Sequence, residues 1–191
     1  MLAPTSEPPR QSEQAPGWAG LLERFYAKLG LALPQICDLD GKAMPDPYRK
    51  LLVHSSDMTP TLETFYAQPM RLTVLTREQD DYTYLREVVL KSATDSRPVE
   101  YGVIRICLNQ LPPPARQRVL EEQRPLGNIL QTESIPHLSW PQAFFEIQSD
   151  SHLGHVLYLA QPCTLYGRRN VLLDGSRRLL AEVIEVLAPA S

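Results

Sequence analysis

Polar residues embedded in apolar runs are where this 191-residue sequence would place chemistry, and four of them stand out: Arg86, Arg105, Glu182 and Glu185. They interrupt "YTYLREVVL" (82–90), "VEYGVIRICLNQ" (99–110) and "RRLLAEVIEVLA" (177–188), all rich in branched or aromatic side chains. Along an extended strand side chains alternate between faces, so Arg86 shares a face with Tyr82, Tyr84 and Val88, while Glu87 points the other way. Glu182 shares a face with Leu180 and Ile184; Glu185, three positions on, faces the opposite side. Burying a guanidinium without a partner is costly. Two arrangements answer that cost. In one, an internal Arg–Glu pair closes a barrel or a sheet edge. In the other, the arginine waits in a pocket for a carboxylate, which it takes through two parallel hydrogen bonds, and a glutamate opposite handles a hydroxyl or a proton. Residue types alone leave both open. Glu87 is expected to meet solvent or a basic residue such as Arg105 or Arg168.

Other chemistries find less support. His152 and His155 are three apart, a spacing that joins two ligands only on a helix, and "SHLGHVLYLA" reads as a strand with Gly154 between them. His54 and His137 lack acidic or cysteine companions at useful spacing, so no metal is expected. The phosphate-binding loops and the G-x-S-x-G nucleophile elbow do not occur, and Ser55-Ser56-Asp57 reads as turn and capping chemistry. Cys37, Cys107 and Cys163 form neither a disulfide framework nor a zinc pattern; they read as reduced cytosolic thiols, with Cys107 in the core. A net charge of −3 and a pI near 5.8 argue against a phosphate-backbone binder. No apolar run is long enough to span a bilayer, and the start lacks the basic and apolar regions of a secretory signal, so the expected location is cytoplasmic.

The elements that must position Arg86 follow from periodicity. Residues 1–16 are rich in Pro, Ser, Gln and Glu and read as a disordered tail; 17–191 is long enough for one domain. "GWAGLLERFYAKLGL" places Trp18, Leu21, Leu22, Phe25 and Leu29 at helical spacing. A Pro-rich loop with an Asp40-Gly41 turn leads to a short helix in "YRKLLVHSS". A further helix follows, capped by Thr59 with Pro60 at its first position. Runs at 71–77, 81–92 and 99–110 suggest an antiparallel meander. "PPPARQRVLEEQ" is a helix stopped by Pro125, and "RPLGNIL" is a loop or a fresh start in which Gly127 can adopt a conformation closed to other residues. "AFFEIQ", "HVLYLAQ", "TLYGRRNVLL" and "RRLLAEVIEVLA" read as strands, the last two joined at Asp174-Gly175. This order is α+β.

"LLVHSSDMTPTLE", "YLREVVL", "RPLGNIL" and "GRRNVLLDGSRRLLAE" together resemble the chorismate pyruvate-lyase (4-hydroxybenzoate synthase-like) family, from about Tyr48 to the C-terminus. The resemblance implies a single α+β domain with an antiparallel sheet of about six strands and helices packed on it. It implies a ligand enclosed under flaps and a lyase that splits chorismate into 4-hydroxybenzoate and pyruvate without metal or cofactor, for quinone or specialised metabolite synthesis. On the family pattern Arg86 grips the ring carboxylate, the amides of Leu126 and Gly127 assist, and Met58 lines the flap. A glutamate near the end of the last strand faces the product hydroxyl. Counting from Gly175 selects Glu182, counting back from "LAP" selects Glu185, and strand parity forbids both; Glu182 is preferred because it needs no insertion in the hairpin. Asp150 to Leu165 looks long for the family, so that part of the lid is unassigned. The implied partners are chorismate and an aromatic carboxylate, with neither nucleic acid nor membrane. A non-catalytic carrier of the same carboxylate is the alternative, and a domain using its N-terminal tail to bind a partner is a third.

Overall fold

The computed structural model describes residues 19–190, so the expected tail over 1–16 and the helical role of Trp18 lie outside the described residues. The strands are β1 (Ile36–Leu39), β2 (Met70–Gln79), β3 (Thr83–Ser92), β4 (Pro98–Cys107), β5 (His137–Gln148), β6 (Thr164–Asp174) and β7 (Leu179–Leu187). They pair antiparallel in one seven-stranded sheet, ordered β1-β5-β6-β7-β4-β3-β2. The meander expected over 71–110 is present as β2, β3 and β4. The strand beyond the expected six is β1, four residues at the sheet edge within a segment that reads as loop.

Burial explains why β3, β4 and β7 are so apolar. Nearly all of their residues are buried, whereas in edge strand β2 only Met70 is buried and the rest are half-buried or exposed. Central strands covered on both faces need apolar side chains on both. One face carries α1 (Gly20–Lys28) and α6 (Ser151–Val156), whose Leu22, Phe25, Tyr26, Leu153 and Val156 pack on Val103 and Ile184. The other carries α2 (Tyr48–Leu52), α3 (Met58–Tyr66), α4 (Pro113–Leu120) and α5 (Leu126–Thr132). These four bury two separate clusters, α2 and α3 over Leu90 and Leu187, and α4 and α5 over Ile104 and Val183.

Several local expectations change. α6 replaces the strand read in "HVLYLAQ". Leu153, Val156 and Leu157 form an apolar stripe at helical spacing, and the Asp150 side chain caps the helix by accepting from the Leu153 amide at 2.9 Å. The cap of α3 is Asp57, two residues before the expected Thr59. "RPLGNIL" is a fresh start, α5. Gly127 does not occupy the positive-φ region; a Cβ there would lie 3.4 Å from the Asp57 Cβ, so close packing of α5 against α3 explains the glycine. The β6–β7 connection falls where expected but spans Gly175 to Arg178, organised by the Asp174 carboxylate accepting from the Ser176 and Arg178 amides, both at 2.8 Å. Cys107 is half-buried at the end of β4, not a core residue, and all three cysteines are free. Among the described residues no helix is long and apolar enough to cross a membrane.

Candidate functional site

Register brings a set of polar side chains to one face of the sheet. Arg86 on β3 pairs with Ile104 on β4, which pairs with Val183 on β7, which pairs with Asn170 on β6. Val88 pairs with Gly102, which pairs with Glu185, which pairs with Arg168. Arg86, Asn170 and Glu185 therefore share one wall, together with Glu100, two residues before Gly102. Gly102 has no side chain to fill that wall, and a Cβ there would press on Val88 at 3.3 Å and on Glu100 at 3.4 Å.

The roof comes from helix starts. Met58 at the first turn of α3 and Leu126 and Gly127 at the start of α5 close over the wall. The empty space between wall and roof is about 570 Å³, part of it open to solvent. Met58, Arg86, Leu126, Gly127 and Glu185, all expected at the site, line this cavity.

Arg86 is 1% exposed. Its Nη2 reaches the Arg124 carbonyl oxygen at 3.5 Å, its Nε and Nη1 are buried without a hydrogen-bond partner, and among the described residues it forms no ion pair. Burial pushes its pKa below the ordinary arginine value, opposed by Tyr84 and Glu122, yet a guanidinium stays charged at any physiological pH. Tyr84 lies on the same strand face with its ring centroid 6.0 Å from the guanidinium carbon, and its hydroxyl donates to Glu122. The Tyr84 hydroxyl is pushed up to about 12, by burial first and then by Glu122.

Glu182, the preferred site carboxylate, lies on the opposite face. It accepts from Arg105 Nη2 at 2.7 Å and from Arg169 Nε and Nη2 at 2.9 and 2.7 Å, so it is the internal ion pair that the alternative arrangement anticipates. The parity argument holds, and the choice of Glu182, made to avoid an insertion in the hairpin, reverses: Glu185, with Val183, shares the face of Arg86. Glu185 accepts from Nε of Arg168, which is fully buried. Arg168 also binds chain segments above the wall. Its Nη1 donates to the Leu52 and His54 carbonyls at 3.2 and 3.1 Å, and its Nη2 to the Ser56 carbonyl at 3.2 Å. One guanidinium thus fixes both the site carboxylate and the segment that delivers Met58. Burial, then the charge of Arg168, push the His54 imidazole below its ordinary value.

Three cavity residues carry no signal in the sequence reading. Glu100 is 4% exposed with Oε2 unpartnered; burial first, and then Glu185, raise its pKa well above the usual carboxylate value. Asn170 donates from Nδ2 to Ser139 Oγ at 2.9 Å and keeps Oδ1 buried and unpartnered. Asp57 accepts from His137 Nε2 at 2.8 Å through Oδ2, leaving Oδ1 unpartnered. Parity with Gly102 and Ile104 could have flagged Glu100, but only once the β3–β4 register is known.

Glu87 does not meet Arg105, Arg168 or solvent. It is buried beneath α6, accepting from the Tyr101 hydroxyl at 2.8 Å and contacting His152 Nε2 at 2.6 Å. His152 and His155 are on a helix after all, with His152 turned inward to Glu87 and His155 exposed. Among the described residues no three His, Cys, Asp or Glu side chains gather as a metal site.

No protein-family profile and no curated protein matches this sequence. Solved structures do. PhnF from Mycobacterium smegmatis superposes with a TM-score of 0.53 at 8% identity, covering 87% of this chain and 93% of its own. The effector domain of PhnF gives 0.52 at 9% identity, covering 69% and 87%. The ligand-binding domain of a GntR-family transcriptional regulator from Bordetella bronchiseptica gives 0.49 at 7% identity, covering 62% and 85%. At such identities the likeness shows the fold alone, a single α+β domain with helices packed on one antiparallel sheet.

Proposed function

We propose that the cavity binds a small ring carboxylate, and that its reaction is the cofactor-independent elimination of pyruvate from chorismate to give 4-hydroxybenzoate. The observation that carries the reading is the Arg86 guanidinium, buried at the cavity wall with Nε and Nη1 unpaired. A buried cation with free donors is costly in the empty domain, and a bidentate carboxylate removes that cost. Chorismate supplies one on its ring. The Leu126 and Gly127 amides stand at the first turn of α5, where helical N–H groups lack intrahelical acceptors.

In the reaction the ring C3–O bond breaks with loss of the enolpyruvyl group, the C4 proton leaves, and the ring becomes aromatic. The released enol takes a proton on its methylene carbon and becomes pyruvate. Aromatisation drives the step, so the enzyme must chiefly hold a flexible dianion in its reactive conformation away from water. Glu185, not Glu182, is the carboxylate for the C4 side, where it accepts from the hydroxyl or takes the proton.

The test is pyruvate release from chorismate by the purified chain, followed with a coupled lactate dehydrogenase. Wild type releases pyruvate, and Arg86→Ala loses most of the rate. Binding without turnover is the second reading, favoured by the superposition on the effector domain of PhnF. It predicts no pyruvate from wild type while 4-hydroxybenzoate still raises the melting temperature.

A further inference from the structure

The wall that carries Arg86 also holds two carboxyl groups, and only one of them is paired with a cation. Glu185 is held by Arg168 through Oε2. Glu100 lies diagonally across the β4–β7 pair, since Gly102 is opposite Glu185 and Glu100 is opposite Leu187. It is buried, and its Oε2 has no partner. Gly102 stands beside both, and a Cβ there would meet Glu100 Oε1 at 3.4 Å.

We propose that Glu100 is a ligand-contacting residue that donates a hydrogen bond to the ring oxygen whose own hydrogen goes to Glu185, so that the cavity selects a hydroxyl opposite the carboxylate held by Arg86. This rests on the ring-carboxylate reading above and extends it to the far end of the ligand.

Two carboxyls sharing one dry wall cannot both be ionised without loss when one guanidinium serves them. Arg168 is committed to Glu185, so the proton belongs on Glu100; its strongly raised pKa agrees, with burial the larger cause and Glu185 the second. The pair then presents one donor and one acceptor. A hydroxyl offers one hydrogen and two lone pairs, and satisfies both at once. A ring amine can donate to Glu185 but is a poor acceptor for Glu100. A second carboxylate accepts from Glu100 but has no hydrogen for Glu185 and brings a like charge beside it. Placement on the sheet fits as well: Glu185 lies two register positions along and two strands across from Arg86, about 7 Å and about 10 Å between backbones, a gap that leaves room for a benzene ring between the ends of the two long side chains.

The experiment is calorimetric titration of the full chain with 4-hydroxybenzoate, 4-aminobenzoate, benzoate and terephthalate, repeated on Glu100→Leu and Glu100→Gln. Wild type should bind the hydroxy acid about tenfold or more tightly than the other three, the cost of leaving buried partners unpaired. Glu100→Leu should bring 4-hydroxybenzoate and benzoate to within about threefold, and Glu100→Gln, which keeps a donor, should retain most of the preference. Equal affinity of wild type for 4-hydroxybenzoate and benzoate overturns the proposal while leaving Arg86 as the carboxylate receptor, and an undiminished hydroxyl preference in Glu100→Leu overturns it too. Binding of none of the four removes the ring-carboxylate reading and this proposal together. Should a variant fail to fold, wild type still tests Glu100 through 4-aminobenzoate, which can donate to Glu185 but not accept from Glu100: equal affinity for it and 4-hydroxybenzoate overturns the proposal.

Discussion

Arg86 and Glu87 are consecutive in β3, and the two faces of the sheet treat them in opposite ways. Beneath α1 and α6, Glu87 is met by Tyr101 and His152, and Tyr26 beside them donates to Asp150 at 3.3 Å. Tyr26 and Tyr101 each stand edge-on to the His152 ring, 5.6 and 5.8 Å between centroids. That polar cluster is closed upon itself. Beneath α3 and α5, Arg86, Glu100, Asn170 and Asp57 each keep a buried polar atom with no partner, and a cavity lies among them. Native interiors leave few such atoms. Five on four residues surround one cavity, against a satisfied cluster on the reverse of the same strands, and the binding reading rests on that contrast.

The sharpest way to break this contrast is within β7. Glu185→Gln leaves Arg168 buried without its carboxylate and should cost about 3–5 kcal/mol of stability, together with pyruvate release. Glu182→Gln disturbs a pair with partly exposed Arg105 and Arg169 and should cost about 1 kcal/mol or less with the activity intact. Chemical denaturation and the pyruvate assay on both variants check this; equal losses of activity would return Glu182 to the site.

Next in size is Arg86→Met. Pyruvate release should fall about a hundredfold or more, equivalent to about 2.7 kcal/mol, while the melting temperature of the empty domain stays level or rises because an uncompensated buried cation is gone. Glu87→Leu should behave in reverse, losing about 1–3 kcal/mol of stability, since Tyr101 and His152 lose their acceptor, and keeping its pyruvate rate. Thermal melts beside rate measurements separate the two; a destabilised Arg86→Met with normal activity would make both faces structural.

The smallest effect concerns the roof. The hydrogen bond that its Nε2 donates to the Asp57 carboxylate raises His137 above its ordinary value, outweighing burial. A raised folded-state pKa means that the His137–Asp57 contact contributes its full stability below the unfolded value, near pH 6.5, and loses it as pH rises through the folded value. Wild type should therefore exceed His137→Phe by about 1 kcal/mol or less at pH 6, with the gap narrowing as pH rises; a gap that widens toward alkaline pH would contradict the ion pair. Melts across a pH series read it.

Much of the frame was legible before the structure. Largely apolar runs at 81–92 and 99–110 give central strands because both faces are covered, and Arg86 is conspicuous there because the acid next to it, Glu87, points to the other face. What was illegible depends on register. Whether Glu182 or Glu185 shares a face with Arg86 is set by the pairing of β7 with β4, which are neighbours in the sheet but far apart in sequence. Glu100 is hidden for the same reason, in "PVEYG", where a lone glutamate at a strand start reads as solvent-facing. α6 was misread because β-branched and aromatic residues after Gly154 outweighed the Asp150 cap and the stripe of Leu153, Val156 and Leu157.

The central claim is that the buried Arg86 guanidinium is the receptor for a ring carboxylate. It is tested most directly by calorimetric titration of benzoate, which carries only that group, into wild type and Arg86→Met. Saturable binding to wild type that is lost in the variant is the predicted result, and equal affinity for the two proteins would contradict it.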